Sequence, residues 1–190
     1  MNADETRAEW MRHAESVARR QRDGAGPPGL TDRTTAAGLS GLEFLQAMLA
    51  GRLPPSHIGH TLAFTLVEVQ PGKAVFQGTP ALAHYNPIGS VHGGWFATLL
   101  DSAMGCAVQT TLPAGRAYTT AELSVNIVRA ATRDTGPLRA IGSVIHSGRQ
   151  LATAEARLIG PDGKLYAHGT TTCLVFEATR PPATPTPAAA

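Results

Sequence analysis

Asp101 and the string His92-Gly93-Gly94 are the residues whose types and spacing offer chemistry. Asp101 lies in the apolar run GGWFATLLDSAMGCAVQTTL, flanked by Leu99-Leu100 and Ala103-Met104. A carboxylate among such neighbours is costly to bury without a partner or a use. At 100° per residue, Gly94, Thr98 and Gly105 share its helical face, and all three are small enough to let a ligand approach. A purely structural role stays open, with Asp101 capped by a nearby hydroxyl or paired with an arginine such as Arg129. His92-Gly93-Gly94 falls where the helix should begin, so unpaired N–H groups and the positive end of the helix dipole gather there. Two glycines admit the close approach that a developing oxyanion needs, and they would equally ease packing of a helix on a sheet. A carboxylate and backbone N–H donors together are equipment for attack on an activated acyl group.

The elements that must position these groups follow from periodicity. Residues 93–112 read as a helix by length and by their Ala, Leu and Met content, bounded by Gly89-Ser90 and Pro113. That helix is too apolar to be exposed on any side. Two short β-rich runs precede it, HTLAFTLVEV and KAVFQGT, joined by the turn Gln70-Pro71-Gly72. Four runs follow it: AYTTAELSVNIV, PLRAIGSVIHS, QLATAEARLIG and KLYAHGTTTCLVF. In the first, Leu123, Val125 and Ile127 alternate with Glu122, Ser124 and Asn126, which predicts a half-buried antiparallel strand. The order is therefore β-β-α-β-β-β-β, an α+β domain whose sheet wraps the helix. Upstream, Trp10, Met11, Ala14, Val17 and Ala18 recur at helical spacing between Glu5 and Arg20. A linker, RDGAGPPGLTDRTTAAG, and a second helix, GLEFLQAMLAG, complete the first part. The expected division is a helical extension over 1–52, a domain over 53–176 and a disordered Pro/Ala/Thr tail over 177–190.

Composition narrows the function. Sixteen Lys and Arg against fourteen Asp and Glu, with no run of one sign, give no tract that would track nucleic acid. No stretch reads as a membrane span and MNADETRAEW has no apolar signal core, so the expectation is a cytoplasmic protein without a membrane partner. Cys106 and Cys173 lack the paired spacing of metal or disulfide frameworks and read as small buried hydrophobes. His57, His60, His84, His146 and His168 show no metal-ligand spacing, so no metal is expected. Trp95 and Phe96 read as core, with lining of an acyl pocket as the alternative.

The string HYNPIGSVHGGWFATLLDSAMGCA, continued by TTAELSVNIVRAA, HSGRQLATAEARL and DGKLYAHGTTTC, resembles the PaaI-type branch of the hotdog thioesterases, over roughly Leu53 to Phe176. The resemblance implies an antiparallel sheet around one long central helix and hydrolysis of acyl-CoA, with coenzyme A as part of the substrate and no separate cofactor. It implies that the Gly93 N–H binds the thioester carbonyl and that Asp101 attacks that carbonyl or activates water. Asn86 and His92 would shape the carbonyl end, and Thr120 would help hold the water. Arg129 at a strand end and Gly148-Arg149 in a turn fall where the family binds the nucleotide, and by themselves the two arginines read as solvated surface charges. The chain has Arg129-Ala130 where relatives commonly have Arg-Pro.

Geometry adds a constraint of its own. Eight residues of helix separate Gly93 and Asp101 by roughly 12 Å along the axis, so one helix cannot bring both to one carbonyl. A two-fold dimer with shared sites satisfies both. The resemblance implies the same, commonly as a dimer of dimers. Two other functions fit the fold: a non-catalytic acyl-CoA binder, in which Asp101 would have no task, and an acyl-thioester dehydratase or hydratase, which would need a histidine with a carboxylate partner.

Overall fold

The computed structural model describes residues 2–178. The chain runs α1 (Ala3–Asp23), α2 (Arg33–Gly38), α3 (Gly41–Leu49), α4 (His57–Thr61), β1 (Phe64–Gln70), β2 (Lys73–Gly78), α5 (Gly93–Gln109), β3 (Arg116–Ile127), β4 (Leu138–Ser147), β5 (Leu151–Ile159) and β6 (Leu165–Glu177). One six-stranded sheet has the order β1-β2-β4-β5-β6-β3, and every neighbouring pair is antiparallel. The sheet wraps α5, the hotdog arrangement that the resemblance implies.

Small residues on the inner face of the sheet set how closely α5 can lie. Ala140 on β4, Ala152, Ala154 and Ala156 on β5, and Ala167 on β6 are all buried, and at period two the three β5 alanines face the helix. At Gly142 on β4 the approach is closest: a Cβ there would fall on the Ala103 carbonyl and the Met104 backbone nitrogen. Phe96, Leu99, Leu100, Met104 and Val108 of α5 fill the remaining space against Leu138 and Leu158.

The helices before β1 are set by caps. Asn2 and Glu5 form a capping box at the start of α1, and Ser40 and Glu43 form another at α3. Helix α1 lies against the outer side of the sheet. Val17 is fully buried, the Arg139 guanidinium stacks over Trp10 at 4.5 Å from the ring centre, and Arg7 donates to the Thr135 carbonyl at 2.8 Å. Met11, expected on the packing face of α1, is largely exposed.

Several expectations need correction. The stretch 22–38 is not wholly linker, since Asp32 caps the short α2 through the Thr35 N–H. Residues 60–63 are not strand: Ser56 caps α4, which delays β1 to Phe64. Helix α5, whose second side is expected to be covered by a partner, is open on that side within the chain: Gly94 is exposed and Thr98, Asp101 and Ser102 are half-exposed. The same vacancy undoes the half-burial expected of β3. Leu123 and Ile127 do point to the helix side, yet they are 38% and 46% exposed. The reason is that β3 is a sheet edge and only the first residue of α5, Gly93, comes up to its second half, at Ile127. Strand β6 runs one residue past the expected boundary, to Glu177, and the rest of the expected tail, from 179 on, lies outside the described residues.

Replacing Gly142 with Ala should drive α5 from the sheet and cost about 1–3 kcal/mol, the usual range for overpacking a core. A urea unfolding midpoint equal to wild type would show that the helix can yield without cost.

Candidate active site

The open face of α5 begins at its cap. His92 occupies the N-cap and its Nδ1 accepts the Gly94 N–H at 2.9 Å. With Nδ1 used as an acceptor, a neutral His92 carries its proton on Nε2, on an exposed ring. The cap consumes one of the first-turn N–H groups and leaves the neighbouring one: among the described residues no acceptor meets the Gly93 N–H. Space at Gly93 is limited by Ile127, whose Cδ1 would lie 3.1 Å from an added Cβ.

Upstream of the cap, Asn86 is committed to its own loop. Its Oδ1 accepts the N–H groups of Ile88 and Ser90 at 3.1 and 3.2 Å, and its Nδ2 donates to the Ser90 hydroxyl at 3.0 Å. This Asx-type turn fixes the path into the helix. His92 N donates to the His84 carbonyl at 2.8 Å, tying the loop to the short turn at 82–84.

A little over two turns further along α5, the Thr120 hydroxyl donates to Asp101 Oδ1 at 2.9 Å. The bond joins α5 to the first half of β3 and orients the carboxylate, leaving Oδ2 without a hydrogen-bonding partner among the described residues. Among the described residues no arginine pairs with Asp101, so the expected alternative of pairing with Arg129 does not occur. The other hydroxyls on this face turn inward: Thr98 donates to the Gly94 carbonyl and Ser102 to the Thr98 carbonyl. Gly105, expected on the open face, is buried, and the Tyr118 ring lies where its side chain would be. Tyr118 and Thr120 share a side of β3, so strand alternation carries the signal that both meet the helix.

Burial pushes the Cys106 thiol up to about 12, with the Asp101 charge adding to the effect, and burial raises Cys173 as well. Both thiols are therefore held in the protonated form at neutral pH, the less reactive one. Trp95 and Phe96 belong to the core, where the Trp95 indole donates to the Leu62 carbonyl at 2.8 Å.

The arginines expected near a nucleotide stand apart. Arg129 follows β3, donating to the Leu165 carbonyl at 3.3 Å beside the Tyr166 ring. Gly148 and Arg149 make the β4–β5 turn, where Arg116 at the start of β3 donates to the Arg149 carbonyl. The two groups thus lie at opposite ends of β3, roughly 40 Å apart at strand rise. Among the described residues, no helix is long and apolar enough to cross a membrane.

Comparison with known proteins follows the same outline. The family model described as "Thioesterase superfamily" matches residues 88–167. A Halobacterium salinarum protein named as an esterase is 40% identical over 75 residues, 38% of this chain and 48% of that one. The chain thus spans about half the length of the curated relative it matches. A conserved protein of Pseudomonas aeruginosa is similar in structure, with TM-score 0.60 and 29% identity over 64% of this chain and 94% of its own. So is a phenylacetic acid degradation-related protein of Ralstonia eutropha, with TM-score 0.63 and 29% identity over 69% and 98%. A variant of the phenylacetic acid degradation protein PaaI of Thermus thermophilus gives TM-score 0.56 and 25% identity over 62% of this chain and 96% of its own.

His84, which holds the loop before the site, is buried and stacks on Trp95, and its Nδ1 accepts the Ala81 N–H at 3.1 Å. Desolvation lowers its pKa below the ordinary value of 6.5. The unfolded chain therefore takes up the proton first as pH falls, and the stability present above about pH 6.5 is lost toward the folded pKa. Unfolding titrations should show stability falling from pH 7 to pH 5, with a flatter profile in His84→Asn, which keeps an acceptor for Ala81. Identical slopes would remove His84 from the account.

Proposed function

We propose, from the premise that residues 88–167 are a thioesterase superfamily domain carried on the PaaI-type hotdog fold, that this protein hydrolyses acyl-CoA thioesters to a carboxylic acid and coenzyme A. The observation that carries the reading is the contrast along the open face of α5. At one end lies an unmet N–H at Gly93, and at mid-helix a carboxylate steadied by Thr120. The pair supplies what thioester hydrolysis requires: a donor for the oxygen that gains charge and a base or nucleophile for the carbon.

In this reading the thioester carbonyl accepts the Gly93 N–H at the helix start, where the dipole favours the oxyanion. Asp101 either attacks the carbon directly, giving after loss of the thiolate a mixed anhydride that water then hydrolyses to the acid, or takes a proton from a water held with Thr120 that adds to the carbon. Collapse of the tetrahedral intermediate breaks the C–S bond. The leaving thiolate needs little help, since a thiol pKa near 8.5 makes it a good leaving group. His92 shapes the carbonyl end by occupying the Gly94 N–H, and Asn86 acts through the loop that it fixes. Gly94 and Thr98 line the approach.

Because Gly93 and Asp101 are roughly 12 Å apart along α5, the active unit is a two-fold dimer in which the helix start of one chain faces Asp101 of the other. The uncovered inner face of β3 supports this arrangement, as does its free edge. Antiparallel pairing of two β3 edges would carry Arg129 toward Arg116 and Arg149 of the partner subunit, so arginines at opposite ends of one strand would meet across the axis to hold the coenzyme A phosphates. A dimer of dimers follows from the resemblance. The acyl group is aromatic, phenylacetyl-like, or medium-chain. A hydratase reading has less support, since among the described residues the His92 ring hydrogen-bonds no carboxylate.

Thiol release from a panel of acyl-CoAs tests the chemistry. Asp101→Asn should lose about 10²–10⁴-fold in kcat, the range for a positioned acid or base, and Thr120→Val should lose less. An Asp101→Asn variant as fast as wild type, or a wild type that cleaves no acyl-CoA, would defeat the proposal. Sedimentation velocity should give a dimer or larger, and mixing inactive Asp101→Asn with an inactive Gly93→Pro should restore part of the activity if sites are shared. A stable, active monomer would end the two-chain account.

A further inference from the structure

Helix α1 and the sheet do not close on each other. Between them lies an open cavity of about 810 Å³, within the range of about 300–1,000 Å³ typical of small-molecule sites. Its apolar walls are Met11, Ala14 and Ala18 of α1, Met48 of α3, Phe64 of β1 and Phe76 of β2. No residue of α5 or β3 lines it, so it is separate from Asp101, Gly93 and Thr120.

Two buried amides make this more than an apolar gap. Gln21 on α1 and Gln77 on β2 both line it and are only 5% and 4% exposed. The partner of each amide can play one role only, which fixes the amide's orientation. Gln21 Nε2 donates to the Met48 carbonyl at 3.4 Å, leaving its Oε1. Gln77 Oε1 accepts from Arg139 Nε at 3.0 Å, leaving its Nε2. Neither remaining atom meets a hydrogen-bonding partner among the described residues, and neither is sealed from open space. The cavity therefore offers one acceptor and one N–H donor between apolar walls. At its mouth Arg22 and Glu15 pair at 2.7 Å, so the rim presents no uncompensated charge from either.

We infer that this cavity binds a neutral, mostly apolar small molecule of medium-chain size whose head both donates and accepts a hydrogen bond, a primary amide or an alcohol. A carboxylate would be desolvated facing the Gln21 oxygen. The nearby guanidinium of Arg139 is already turned to Gln77, His13 and Trp10. The site uses none of the residues of the proposed thioesterase chemistry and stands without it.

Methionine methyl groups report on it directly. The chain has four methionines, of which Met11 and Met48 line the cavity and Met104 lies in the core beneath α5. The full chain, labelled with [13C-methyl]methionine, would be titrated with octanamide, octan-1-ol and octanoate. Met11 and Met48 should shift saturably with the amide and the alcohol, and octanoate should bind at least tenfold more weakly. Ala14→Phe, which fills the cavity, and Gln77→Leu should each weaken octanamide at least tenfold while keeping the wild-type circular dichroism spectrum. Gln21→Leu carries the same test should loss of the Arg139 contact unfold Gln77→Leu. The inference is overturned by an absence of saturable shifts at Met11 and Met48, by shifts confined to Met104, by octanoate binding as tightly as octanamide, or by folded variants that keep wild-type affinity.

Discussion

The contact on which the rest of this structure depends is the close seat of α5 on β4 and β5. A helix that touches a sheet backbone to backbone needs a floor with almost no side chains, and Ala140, Gly142, Ala152, Ala154 and Ala156 provide it. That seat decides which side of the helix is left outward. Leu99, Leu100, Ala103, Met104 and Val108 face the sheet, so the remaining stripe, from Gly94 through Thr98 to Asp101, is left only partly covered by the described residues. The carboxylate is presented by default, as a consequence of where the large side chains go.

Around this stripe, small commitments sort the polar groups by availability. His92 spends its Nδ1 on the Gly94 N–H, Thr98 and Ser102 spend their hydroxyls on the helix backbone, and Asn86 spends its amide on a loop. Among the described residues, what remains outward is the Gly93 N–H, the Nε2 side of His92 and one oxygen of Asp101. A site with so few open groups is selective, because each satisfied hydroxyl or amide is one fewer competitor for a substrate's polar atoms.

Much of this was legible in the residues. The turn at Gln70-Pro71-Gly72, the alternation of Leu123, Val125 and Ile127 in β3 and the length of the apolar run at 93–112 each carry a local signal strong enough to place an element. The local signal of α4 was weaker: its five residues sit between Ser56, which caps it, and the β-rich run that follows, and the cap outweighs the strand propensity of the neighbours. Gly105 was misplaced because a helical wheel gives direction but not what stands opposite, and Tyr118 arrives from a strand thirteen residues on. The exposure of Leu123 and Ile127 was hidden for a related reason. Alternation states which way a side chain points, while its cover depends on how far a neighbouring element extends. The resemblance supplied roles for Asp101, Gly93 and Thr120 that spacing alone left open between structure and chemistry.

The outer edge of β3 also bears on how the chain must mature. An antiparallel strand of this length with one free side is a template for any extended peptide of matching pattern, and its inward face carries Leu123, Val125 and Ile127. In the dimer proposed above, a newly made copy would expose this border until a second copy covers it. Synthesis at low local density favours strangers over siblings, so the yield of properly assembled protein should be governed by encounter rate as much as by the stability of the single fold.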